Sequence, residues 1–109
     1  MDVTLKEFAI TVSGTAPAGA ITFRVKNSGT MMHEFDIYKS SLALDKLPVN
    51  ASQQVDEGSP NVETIEASEP IPAGSTSEIT ATLKAGDYYL VCNQPGHYAL
   101  GMRLDFVVR

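Results

Sequence analysis

One cysteine, two histidines and no tryptophan stand among the 109 residues of this chain. A single cysteine cannot close a disulfide within the chain, so cysteine usage says nothing about an oxidising compartment. Long apolar runs are missing too: none approaches the roughly 18 residues of a membrane-spanning helix. Positive charge is scarce, with eight Lys and Arg against thirteen Asp and Glu and a formal net charge of −5. That balance argues against nonspecific nucleic-acid binding, which needs clustered cations facing phosphates. It suits a soluble protein whose partner presents a basic patch, although acidity also serves solubility alone. No leader is visible, because Met1 runs directly into Asp2-Val3-Thr4. Internal repeats and low-complexity tracts are absent as well.

What remains is ordinary globular material, 43% hydrophobic and 19% charged, and its length predicts one domain spanning residues 1–109. The apolar periodicity is that of strands. Val3 to Val12 reads as one strand whose phase changes between Leu5 and Phe8, predicting a bulge near Lys6-Glu7. Ile21, Phe23 and Val25 alternate with polar residues, and Asn27-Ser28-Gly29 supplies a turn. His33 to Tyr38 predicts another strand with His33, Phe35 and Ile37 on one side. Ser41 to Leu47 predicts a short helical turn stopped before Pro48, residues 50–60 a polar loop, and Val62 to Glu66 a short exposed strand. The acidic residues between 39 and 69 read first as a solvated insertion and second as a docking patch. Ile79, Ala81 and Leu83 alternate as a further strand, and Asp87 to Val91 and Arg103 to Val108 as two more. Seven to eight short strands separated by turns predict an all-β Greek-key sandwich or barrel. Its inward set is Ile10, Val12, Ile21, Phe23, Val25, Phe35, Ile37, Ile79, Leu83, Tyr88, Leu90, Leu104, Phe106 and Val108.

The scarce residues are not scattered. Cys92, His97 and Met102 follow one another at the spacing Cys92-x4-His97-x4-Met102, in the connection between the last two predicted strands, while the other histidine, His33, opens a strand far upstream. A turn at Pro95-Gly96 and a permissive Gly101 would let that connection fold back on itself. A thiolate, two imidazoles and a thioether are the donor set of a copper site with three close ligands and a long axial one. Taken singly, each residue has a plainer role: a buried small hydrophobe for Cys92, a satisfied core or surface histidine, a gap-filling methionine. Taken together, they use every cysteine and histidine in the chain and point to copper. Met31 and Met32, beside His33, fit core or loop packing better than metal trafficking.

With these residues in view, the chain resembles the cupredoxins, most of all small bacterial and archaeal members with an H-E-F segment and a C-x-x-P-G-H-x-x-x-G-M loop. The match runs over His33-Glu34-Phe35, Gly86 to Met102 and the alternating C-terminal strand. The resemblance implies one type 1 copper ion with His33, Cys92 and His97 as equatorial ligands and Met102 as the axial one. It implies a monomeric carrier, not an enzyme, that shuttles single electrons by Cu(I)/Cu(II) cycling between redox partner proteins. An exposed edge of His97, inside an apolar rim, would be its electron port. It also implies work outside the cytoplasm, periplasmic or tethered on the outer side, with Met1 an expression start and the leader or tether removed. Several relatives carry Asn or Ser after the first ligand histidine, placed to donate a hydrogen bond to the sulfur; this chain has Glu34, which as a carboxylate cannot donate. Glu34 is therefore expected to face outward or meet Arg or Lys.

Other classes fit less well. A copper chaperone or storage domain would use the same ligands without electron transfer, and zinc could occupy the same donors. A cysteine hydrolase would need His97 as base and an orienting group such as Asn93, leaving the Met102 spacing without a reason. Oxidase or nitrite reductase chemistry would call for more histidines than the sequence holds. A purely structural sandwich would not need the quartet at all.

Overall fold

The computed structural model describes residues 1–109. Eight strands form two four-stranded sheets: β1 (Asp2–Lys6), β2 (Ala9–Val12), β3 (Gly19–Asn27), β4 (Asp36–Lys39), β5 (Glu63–Ala67), β6 (Thr76–Leu83), β7 (Gly86–Val91) and β8 (Arg103–Val108). One sheet has the order β2-β1-β3-β6 and the other β5-β4-β7-β8, so the chain changes sheet after β3, β5 and β6. This is the expected Greek-key sandwich. The β1–β3 pair is parallel, and the other strand pairs are antiparallel.

Alternation along the strands puts one face of each sheet inside. In β3, Ile21, Phe23 and Val25 are buried between exposed neighbours, and in β8 Phe106 and Val108 are. Phe23 meets Phe35 and Phe106 with ring centroids 5.1 and 5.8 Å apart, within the 4.5–7 Å range of favourable aromatic pairs. Most of the expected inward set is buried; Val12, Ile79 and Leu104 are partly buried and pack against the core.

Three expectations need correction. Val3 to Val12 is not one bulged strand but a hairpin, with Val3 opposite Val12 and Lys6 opposite Ala9. The change of phase marks a reversal at Glu7-Phe8, after which Ile10 returns to the same core as Val3 and Leu5. The strand expected from His33 begins only at Asp36; His33 forms an isolated antiparallel bridge with Ile71, its N–H donating to Ile71 C=O at 3.2 Å and its C=O accepting from Ile71 N–H at 2.7 Å. Residues 39–69 are also more than a solvated insertion. Leu47, Val55 and Val62 build a second core with Tyr38, Val91 and Tyr98, and the helical turn is a 3-10 helix over Leu44–Lys46.

Candidate metal centre

β7 and β8 pair antiparallel from Gly86↔Val108 to Val91↔Arg103, which places Cys92 and Met102 at adjoining ends of the connecting loop. Cys92 N–H donates to Met102 C=O at 3.1 Å, and Met102 N–H donates to His97 C=O at 3.0 Å. The loop is therefore closed on itself by its own backbone. It turns where the sequence predicts, with Gly96 at φ 81° and Gly101 at φ 108°, a region glycine enters without steric cost.

Side chains outside the loop fasten it. The Asn93 amide accepts from Val55 N–H at 2.6 Å and donates to Val55 C=O at 3.1 Å, so a residue of the 50s loop is bonded through both main-chain groups. Tyr98 hydroxyl donates to Leu44 C=O and accepts from Leu47 N–H, joining the loop to the 3-10 helix. These fasteners escape sequence reading, because the partners lie some 40 to 50 residues away with no shared pattern.

His33, in the segment leading into β4, which pairs with β7, reaches the same place. His33 Nδ1 lies 3.2 Å from His97 Nδ1 and 3.6 Å from Cys92 Sγ, and Cys92 Sγ lies 3.4 Å from His97 Nδ1. A circle through three atoms at these separations has a radius of about 2 Å, close to the roughly 2.0–2.3 Å of metal–nitrogen and metal–sulfur bonds. All three residues are buried, and they form a group whose donor atoms could hold a metal ion. Met102 is fully buried in the same core cluster as Cys92. His97 keeps 5% of its surface, a narrower edge than expected, while Leu100 beside it is 63% exposed. The two turn residues of the β1–β2 hairpin, missed in the sequence, face the histidines. Phe8 packs edge-on to His97, ring centroids 5.1 Å apart, and Glu7 Oε1 lies 3.4 Å from His33 Nε2.

Burial governs the protonation of the group. It pushes the Cys92 thiol up to about 11, against the opposing effect of amides from Glu34 and Gln94. It pushes both imidazoles down, so they are neutral donors at neutral pH. The Glu34 expectation also needs correction: its main-chain N–H donates to Cys92 Sγ at 3.3 Å, and its carboxylate accepts from Gln94 Nε2 at 2.6 Å instead of meeting Arg or Lys. The bond that the side chain cannot supply comes from the backbone.

The architecture matches that of known proteins. Reduced auracyanin from the photosynthetic bacterium Roseiflexus castenholzii superposes with a TM-score of 0.74 at 25% identity, over 99% of this chain and 94% of that one. The fold is that of the cupredoxins. Auracyanin B superposes with a TM-score of 0.68 at 19% identity, over 100% of this chain and 87% of that one. Reduced rusticyanin gives 0.60 at 24%, over 99% and 78%. The sequence matches no protein-family model and no curated protein. In this cupredoxin fold the buried His-Cys-His group fits a copper site, because a soft sulfur and two imidazole nitrogens are the donors copper prefers.

Proposed function

We propose that this protein is a small, soluble, monomeric carrier of single electrons, a single domain over residues 1–109, with one type 1 copper ion. His33 and His97 would hold the ion through Nδ1 and Cys92 through Sγ, with the Met102 thioether as a further, weaker donor. The observation that carries the reading is the convergence of three buried donor atoms, from segments nearly 60 residues apart, within 3.6 Å of one another. Bound copper supplies a one-electron couple between Cu(I) and Cu(II).

The chain's own residues do the rest. Cys92 gives up its thiol proton when it becomes a ligand, and the Glu34 N–H then stabilises the sulfur's charge. The bonded loop and the two sheets fix the donors before the ion arrives, which limits rearrangement between oxidation states. Burial of His33 and Cys92 excludes water from the donors. The same burial speaks against the chaperone or storage reading, since handing copper to a partner would require the ligands to open. It speaks against a cysteine nucleophile too: a fully buried thiol pushed up to about 11 is neither ionised nor accessible.

Electrons would pass at the His97 edge, where the exposed Leu100 begins an apolar rim for brief docking. The net charge of −5 favours redox partners with a basic patch, and the resemblance favours work outside the cytoplasm. No helix is long and apolar enough to cross a membrane. A potentiometric titration of copper-loaded protein tests the reading. It should show a single one-electron wave with one copper per chain; two waves, or none, would contradict it.

A further inference from the structure

Glu7 sits in the reversal between β1 and β2, far from the copper donors in sequence, yet its carboxylate is built into their surroundings. Glu7 Oε1 accepts from Met31 N–H at 2.6 Å, from Thr30 N–H at 2.7 Å and from Thr30 hydroxyl at 3.4 Å. The same oxygen lies 3.4 Å from His33 Nε2. That separation is longer than a well-made N–H···O bond, but His33 Nε2 is fully buried and has no other polar partner. The backbone leaves a space for this carboxylate: a Cβ at Gly29 would come 2.7 Å from Glu7 Cδ and Oε1. Gly29 is itself held by Asn27, whose Oδ1 accepts its N–H at 3.0 Å and whose Nδ2 donates to Met31 C=O at 2.8 Å.

A histidine that donates through one ring nitrogen presents the other as a lone pair. His33 Nδ1 faces Cys92 and His97, so its proton belongs on Nε2, where only Glu7 can receive it. We infer that Glu7 is the positioning residue of the copper site: its carboxylate fixes the His33 tautomer, makes the imidazole a stronger donor, and by its negative charge favours the more highly charged oxidation state of the ion. Partners of this kind on a ligand's far nitrogen affect metal affinity by about 10–100-fold. The inference rests on the copper reading above. It also assigns a purpose to the hairpin turn and to Gly29, neither of which the ligand set explains.

Three variants separate charge, hydrogen bond and placement. Glu7→Gln keeps an acceptor but removes the charge; it should fold, bind copper and show a higher reduction potential than the wild type. Glu7→Ala removes both and should lose about 10–100-fold in Cu(II) affinity. Gly29→Ala leaves Glu7 in the sequence but displaces its carboxylate, and should behave as Glu7→Ala does. Nitrogen-15 NMR of the metal-free and zinc-loaded forms gives a readout independent of redox activity: the His33 proton should sit on Nε2 in the wild type and distribute between the nitrogens in metal-free Glu7→Ala. Unchanged potential, affinity and tautomer in folded Glu7→Gln and Gly29→Ala would overturn the inference. If the wild type itself gives no copper-thiolate spectrum, the copper reading has failed instead.

Discussion

Two buried acids show how single residues tie this site to pH. Metal-free Cys92 is a thiol at neutral pH, because burial holds it up at about 11, whereas a copper ligand is a thiolate, so binding must expel that proton. The imidazoles, already held below their usual range, add none. Apparent Cu(II) affinity should therefore rise about tenfold per pH unit between about 7 and 9. Calorimetry in buffers of different ionisation enthalpy should count one proton released per copper; a count of zero would contradict the thiol. Asp36 is the second acid. It is fully buried, and neither carboxylate oxygen makes a well-formed hydrogen bond. Burial first, then Glu34 and Glu57 nearby, push it from 3.8 up to about 9, against an opposing amide from Ser68. Between those values the folded protein keeps a proton that the unfolded chain has lost, so Asp36 makes stability fall as pH rises through neutrality. Urea midpoints of metal-free Asp36→Asn should decline less between about pH 5 and 8 than those of the wild type; parallel declines would place the effect elsewhere.

At the scale of elements, the ligand loop is held by its neighbours as much as by its own turns. Asn93→Ala would leave both main-chain groups of buried Val55 unpaired, a loss of about 1–3 kcal/mol for each group that water cannot reach. Chemical denaturation should show a lower midpoint with unchanged slope. What the sequence makes legible here is local. Cys92, His97 and Met102 share one short loop whose Pro95-Gly96 and Gly101 announce its reversals, and β7 and β8 announce themselves by alternation. His33 is legible through scarcity, being the only other imidazole. The turn at Glu7-Phe8 is not, because a bulge and a tight reversal both shift the phase of apolar residues, and only pairing in space tells them apart. Nor are the Asn93–Val55 and Tyr98–Leu44 bonds, which join polar residues that sequence spacing does not relate. The Glu34 N–H to Cys92 bond is hidden for another reason: any non-proline residue at that position would carry the donor.

For the molecule as a whole, the alternating strands make the sandwich legible in outline, and the second core around Tyr38, Val55 and Tyr98 is what they leave out, since Leu47, Val55, Val62 and Tyr98 join it from outside the strands, where no period marks them. The main core bears the fold's stability. Phe23, fully buried between Phe35 and Phe106, should cost about 3–5 kcal/mol when cut to alanine, read as a lower melting temperature of the metal-free protein. The rigidity such packing confers matters only if the pocket at its edge carries copper. The most direct measurement is an absorption and paramagnetic-resonance spectrum of the metal-free protein after one equivalent of Cu(II), before and after a one-electron reductant. The account predicts an intense visible thiolate-to-copper band and a Cu(II) resonance that vanish together on reduction and are both missing in Cys92→Ser. A colourless protein, or a copper signal indifferent to Cys92, would contradict it.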